Sequence, residues 1–210
     1  MRIITISREF GSGGRELGKR LADLLEFDYY DKEIIEAAAA SKGLDKSYAE
    51  AIMENSANKN MLLHFRQSFV GSTMGQMTLQ KTQTNLLLEQ KKVIEEIAKL
   101  GRDCVIIGRN ADVLLKAYQP FNLFVCADMQ AKIRRCMERA QEEERLTNRE
   151  IERKIRSVDK SRQQTREIIT GSRWGERSGY HLTVNTTDWD IKALVPAVAD
   201  FVNRWFSQIK

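Results

Sequence analysis

The chain has 210 residues, is 42% hydrophobic and 30% charged, and carries a formal net charge of +5. Such a composition fits a soluble globular protein, and the length suits one domain, or one domain with a helical insertion, around a sizeable core. No apolar stretch reaches membrane-spanning length, so no membrane partner is expected.

The elements alternate along the chain. Ile3, Ile4, Thr5 and Ile6 predict a strand over about 2–7, which leaves no room for a signal peptide before it. Leu17, Leu21, Leu24 and Leu25 mark one side of a helix over about 14–25. A short strand near Phe27–Tyr30 precedes a helix starting after Asp31, and residues 45–100 read as helical until Gly101 stops them. Cys104–Ile107 and Phe121–Cys126 are continuous apolar runs, as in strands buried on both faces, and each is followed by a helix: one after Arg109, one over Met129–Arg139. A charged helix over about 147–169, a last strand Leu182–Asn185 and a last helix over about 190–207 complete the order. Strands alternating with helices predict a parallel sheet covered on both faces, with ligands beyond the carboxyl ends of its strands. The glycine-rich segment after strand one, Arg109 and Asp128 all fall at that edge.

That glycine-rich segment, Arg8-Glu-Phe-Gly-Ser-Gly-Gly-Arg15, is the most informative stretch. Strand, glycine turn and helix start bring backbone amides onto an anion. It departs from the Walker A pattern G-x-x-x-x-G-K-[ST]. With Gly13 on the second glycine, Arg8 stands at the first glycine, Gly14 at the lysine and Arg15 at the hydroxyl residue. Gly11, Ser12, Gly13, Gly14 and Arg15 are the expected phosphate cradle, with Arg8 beside it. Arg15, one residue past the vacant lysine position, is the expected replacement cation. Ser12 is the nearest hydroxyl. A tight strand–helix turn without ligand is the plainer alternative.

Cys104, Cys126 and Cys136 are odd in number and widely spaced, and read as reduced packing residues of a cytoplasmic protein, not zinc ligands or disulfides. His64 and His181 lie at no ligand spacing with Cys or carboxylates, so no metal or catalytic role is expected for them. The whole charge excess lies between Lys132 and Arg177, fourteen basic residues against nine acidic. A solvated mixed-charge helix explains much of it, a closing arm over a polyphosphate the rest. Glu142, Glu143 and Glu144 would repel a nucleic-acid backbone, which argues against a nucleic-acid face.

The segments I-T-I-S-R-E-F-G-S-G-G-R-E from Ile4, F-D-Y-Y-D-K-E from Phe27 and C-V-I-I-G-R-N-A-D from Cys104 carry a specific likeness. D-K-S-R from Asp159, T-G-S-R-W-G from Thr170 and Y-H-L-T-V-N-T from Tyr180 add to it. In this order they resemble the cytidylate kinase-like family, the nucleoside monophosphate kinase branch of the phosphate-binding-loop superfamily. Cytidylate kinases have a lysine in the loop and G-R-D after the third strand; here Gly14 and Gly108-Arg109-Asn110 stand there. The resemblance implies a three-layer α/β P-loop kinase fold in a single domain over 1–210. It implies a helical acceptor-binding insertion over about 31–100 and a lid over about 145–180.

It also assigns roles. Arg109 falls on the side of the monophosphate acceptor, or else salt-bridges a sheet edge. Asp112 orients a base or ribose, or caps its helix. Asp31 begins the acceptor region, or caps the helix after it. Arg66, in the helical insertion, could reach the acceptor. Arg162, in D-K-S-R, matches the lid arginine that meets the transferring phosphoryl group, and Arg166 lies one turn away as a second lid cation or a solvated neighbour. Trp174 is expected to pack the lid base. ATP is the implied donor, with Mg²⁺ held by phosphates and water more than by protein. The implied partners are a nucleotide and a small phosphate acceptor such as CMP; nothing indicates an oligomer. The alternative is a phosphate- or nucleotide-binding protein without transfer activity, for which the missing lysine speaks.

Overall fold

A computed structural model describes residues 1–32, 34–35, 76–140 and 146–208 of the chain. Two compact units are distinguished, Met1–Lys32 with Ala98–Lys210, and Glu33–Ile97. The first holds a five-stranded sheet ordered β2-β3-β1-β4-β5, all pairs parallel. Its strands are β1 (Ile3–Arg8), β2 (Asp28–Tyr30), β3 (Cys104–Ile107), β4 (Phe121–Cys126) and β5 (Leu182–Asn185). The helices are α1 (Gly14–Leu25), α2 (Gln76–Lys99), α3 (Ala111–Leu114), α4 (Met129–Arg139), α5 (Asn148–Thr170) and α6 (Ile191–Gln208). The expected order and the α/β fold are both observed. Among the described residues no helix is long and apolar enough to cross a membrane.

The strands form where apolar β-branched residues run together. Side chains alternate across the pleat, so Ile4 and Ile6 of β1 share a face with Val105, Ile107, Leu123 and Val125. That face packs on Leu17 and Leu21 of α1 and on Ile191, Leu194 and Val198 of α6. Gly18 lets α1 come close, because a Cβ there would run into Ile107 and Ile6. Complete burial of each Leu or Ile contributes about 1.5–3 kcal/mol of transfer free energy. On the opposite face Thr5 donates to the Asn122 side chain at 2.7 Å, and Trp174 meets Phe124 edge-on at 5.4 Å. A smaller core of Ile133, Ile151 and Ile155 joins α4 to α5 and takes in Phe10 and Cys136.

Helix starts follow local chemistry. Asp128 caps α4 by accepting from the Ala131 amide at 2.6 Å, and Thr147 and Glu150 close a capping box at α5. The helix expected after Arg109 is short: α3 passes into a 3₁₀ turn, Lys116–Tyr118, ended by left-handed Gln119 before Pro120. The second unit is described at residues 34–35 and along α2, where Val93, Ile94 and Ile97 are buried at helical spacing. The rest of the helical stretch expected over 45–100, and Arg66 with it, lies outside the described residues.

Candidate functional site

All five parallel strands end at one edge, and the glycine loop lies there between β1 and α1. Gly11 and Gly13 have φ of 79° and 81°, a conformation that favours glycine. Unlike α4 and α5, α1 begins on a residue without a side chain, Gly13, so no side chain caps its first amides. The Gly11, Gly13 and Gly14 amides have no acceptor among the described residues. Ser12 is fully buried and braces the loop: its hydroxyl donates to the Glu9 carbonyl at 2.9 Å, and its own carbonyl accepts from Thr186 Oγ1 at 2.7 Å. Its side chain is therefore turned into the protein.

Helix α5 holds the loop from the other side. Asp159 Oδ1 accepts the Phe10 amide at 2.8 Å, and Arg162 Nη1 donates to the Arg8 carbonyl at 2.8 Å and to Asp159 at 3.1 Å. Lys132, buried on α4, binds Glu9 at 2.9 Å and lies 4.0 Å from Asp159. Burial raises the Asp159 carboxyl above the ordinary range, against the lowering pull of the Phe10 amide and of Arg162. Sequence reasoning missed Glu9 and Lys132. The signal available was Asp159 and Arg162 at i,i+3 on one helix face.

Four guanidinium groups act on this region: Arg8, Arg15, Arg109 and Arg162. Arg8 continues the Ile4–Ile6 face, and its head lies against Gly108 after β3. Burial, then the positive charge of Arg162, holds Arg8 well below the ordinary arginine range; Tyr29 opposes this, while Arg109 and Arg15 add to it. Among the described residues Arg8 has no carboxylate partner. Burial likewise lowers Arg162, which Asp159 partly offsets. Arg109 sits in a run of three left-handed residues, with φ of 73° at Gly108, 58° at Arg109 and 54° at Asn110. A non-glycine residue held this way is strained by about 1–3 kcal/mol. Arg15 Nη2 binds Asp31 at 2.6 Å at the end of β2, so two expected site residues meet there.

Arg166 and Asp112 also meet, but away from solvent. Arg166 Nη1 donates to both Asp112 oxygens at 2.8 and 2.6 Å, and Arg166 Nε donates to Ser172 Oγ at 2.9 Å. Side-chain exposure is 5% for Arg166 and 3% for Asp112. Each group is paired with the other, and the alternative expectation of Arg166 as a solvated neighbour is corrected by its burial.

Beside the loop opens a cleft of about 470 Å³ between Glu16, the α4 residues Arg134, Arg135 and Arg139, and the segment Thr187–Ile191. Arg135 ties its walls together by donating to Thr186 Oγ1 at 3.1 Å and to the Thr186 carbonyl. Trp189 on the rim is half exposed. No group of three or more potential metal ligands occurs among the described residues, and Glu9, Asp31, Asp112 and Asp159 are each engaged by a cation.

A family model described as the cytidylate kinase-like family matches residues 3–188. No curated protein matches the chain. Among solved structures it is similar to an uncharacterized protein from Eubacterium ventriosum ATCC 27560, at 20% identity and TM-score 0.69, over 97% of this chain and 99% of that one. It is also similar to a shikimate kinase from Acinetobacter baumannii in complex with shikimate, at 13% identity and TM-score 0.53, over 100% and 96% of the two chains. A shikimate kinase from Bacteroides thetaiotaomicron matches at 12% identity and TM-score 0.54, over 96% and 98%. At such identities the likeness is one of fold, that of the P-loop kinases.

Proposed function

The chain belongs to the cytidylate kinase-like family, and from that premise we propose that it transfers a phosphoryl group from ATP to a small acceptor, a nucleoside monophosphate such as CMP. The observation that supports this is a glycine loop whose amides have no acceptor among the described residues, at the sheet edge where Arg8 lies against Gly108 and Arg162 binds the Arg8 carbonyl. A half-buried cation such as Arg8, with no carboxylate partner among the described residues, is costly, and a polyphosphate supplies the missing charge.

The chemistry needs positioning more than covalent help. An acceptor oxygen forms a bond to the γ-phosphorus while the bond from that phosphorus to the β–γ bridging oxygen breaks. The electron pair leaves with ADP. An ionised phosphate acceptor brings no proton that must be removed. Loop amides and Arg8 hold the donor phosphates, Arg162 meets the transferring group, and Arg109 and the Arg15–Asp31 pair face the acceptor. The cleft beside Arg135 and Trp189 takes the nucleoside of the donor. Residues 31–100 serve as the acceptor-binding insertion and 145–180 as the lid.

A second reading, a nucleotide-binding protein without transfer, draws on Gly14 at the lysine position. Purified protein with Mg-ATP and a panel of monophosphates, with shikimate included for its occurrence in the A. baumannii kinase, separates the two. Acceptor-dependent ADP release is expected for one monophosphate. ATP binding with no ADP release from any acceptor would favour the second reading.

A further inference from the structure

The loop departs from Walker A at two places, Arg8 for the first glycine and Gly14 for the lysine. In the structure these two residues are in contact. A Cβ at position 14 would lie 2.6 Å from the Arg8 Cβ and 3.1 Å from its Cγ, with the Val125 Cβ at 3.1 Å on the other side. The obstacle is a Cβ fixed to the backbone of a central strand, not the free end of a side chain, so it cannot swing away. Arg8 and Val125 are register partners in β1 and β4, and their neighbours Ile6 and Leu123 pack under α1, which leaves the backbone of β1 no room to retreat. Arginine at 8 and lysine at 14 therefore exclude each other in this fold.

We propose that the two departures are one exchange: Arg8 delivers from the end of β1 the phosphate-binding cation that the lysine position usually supplies from the start of α1, and position 14 is glycine to let the Arg8 stem pass. This rests on the reading of the loop as a polyphosphate site. It moves to Arg8 the role that spacing along the chain suggests for Arg15, whose head is on Asp31. Three properties of Arg8 fit the role. Its head lies against Gly108, at the start of the turn that carries Arg109. It has no carboxylate partner among the described residues. Arg162 fixes the Arg8 carbonyl, so the backbone beneath the side chain is held by the helix that bears the lid arginine. A guanidinium binds phosphate oxygens through a two-pronged fork, which a lysine at 14 would not.

The test has a steric arm and a binding arm. Gly14→Ala alone should lower the melting temperature of the nucleotide-free protein, and adding Arg8→Gly should restore most of it. Gly14→Ala as stable as the unmodified protein would overturn the exclusion. For binding, Arg8→Met keeps the stem over Gly14 and removes only the charge. It should leave the nucleotide-free protein at least as stable, since a purely structural arginine would show a loss. It should weaken ATP in calorimetry by at least about tenfold, the scale of a lost charge-assisted contact. Arg8→Gly with Gly14→Lys should recover affinity to within a few-fold. If unmodified protein binds ATP and Arg8→Met binds it equally well, the exchange is wrong and the polyphosphate site stands. If unmodified protein binds no ATP, the functional reading fails instead, and the steric arm still reports on the exclusion.

Discussion

Removing one partner of the Asp112–Arg166 pair should destabilise the fold more than it alters chemistry. Asp112→Asn removes the negative charge facing a guanidinium that is 5% exposed and leaves it one amide oxygen and Ser172 Oγ as side-chain acceptors. Breaking a buried ion pair by deleting one member costs about 3–5 kcal/mol, because the other charge stays buried. For a chain of this size each kcal/mol moves the melting temperature by about 2–4 °C, so a fall of roughly 6–20 °C is expected. Circular dichroism melts with and without nucleotide measure it. The double variant Asp112→Leu with Arg166→Met should regain most of the loss, since an apolar pair of similar volume replaces a buried ion pair at little cost. Asp112→Asn melting like the unmodified protein but losing acceptor affinity would refute the structural role. A stable double variant with kcat reduced about 100-fold would return Arg166 to the catalytic set.

Three further outcomes are expected. Arg162 Nη1 is spent on the loop, whereas its Nε and Nη2 have no acceptor among the described residues; Arg162→Ala should cut kcat on the order of 100-fold with nucleotide affinity within a few-fold, and steady-state kinetics showing weaker affinity at unchanged turnover would make it a binding residue. Arg15→Ala should weaken ATP less than Arg8→Met does, because Arg15 sits on Asp31; calorimetry giving the reverse order would identify Arg15 as the loop cation. Burial raises the Asp103 carboxyl, but the Arg2 amide and guanidinium at 2.6 and 2.7 Å outweigh it and leave the group below its ordinary range. Its contribution is thus present above the unfolded value of about 4 and lost as pH falls through the lower folded value. Asp103→Asn should therefore be less stable at neutral pH, with the gap closing in acid; a gap constant with pH would exclude this linkage.

What could be read from the chain was local. Ile3–Ile6 followed by three glycines and a leucine-spaced helix is a pattern of adjacent residues, and it marked β1, the loop and α1 to within a residue or two. The apolar runs of β3 and β4 were equally plain. What escaped notice depends on register and distance. Arg8 reaches Gly14 and Gly108 only because β1 lies between β3 and β4. Arg166 and Asp112 are 54 positions apart, and Lys132 and Glu9 are 123 apart. Residue type and helical spacing make Arg162 and Arg166 look alike; only the packing of α5 turns one to the loop and buries the other.

Calorimetric titration of ATP into the unmodified protein, with and without magnesium, addresses the polyphosphate site most directly. Saturable binding of one nucleotide per chain, weakening as salt screens the arginines, is the expected result. No binding at millimolar nucleotide would contradict it and leave the glycine segment as a turn between a strand and a helix.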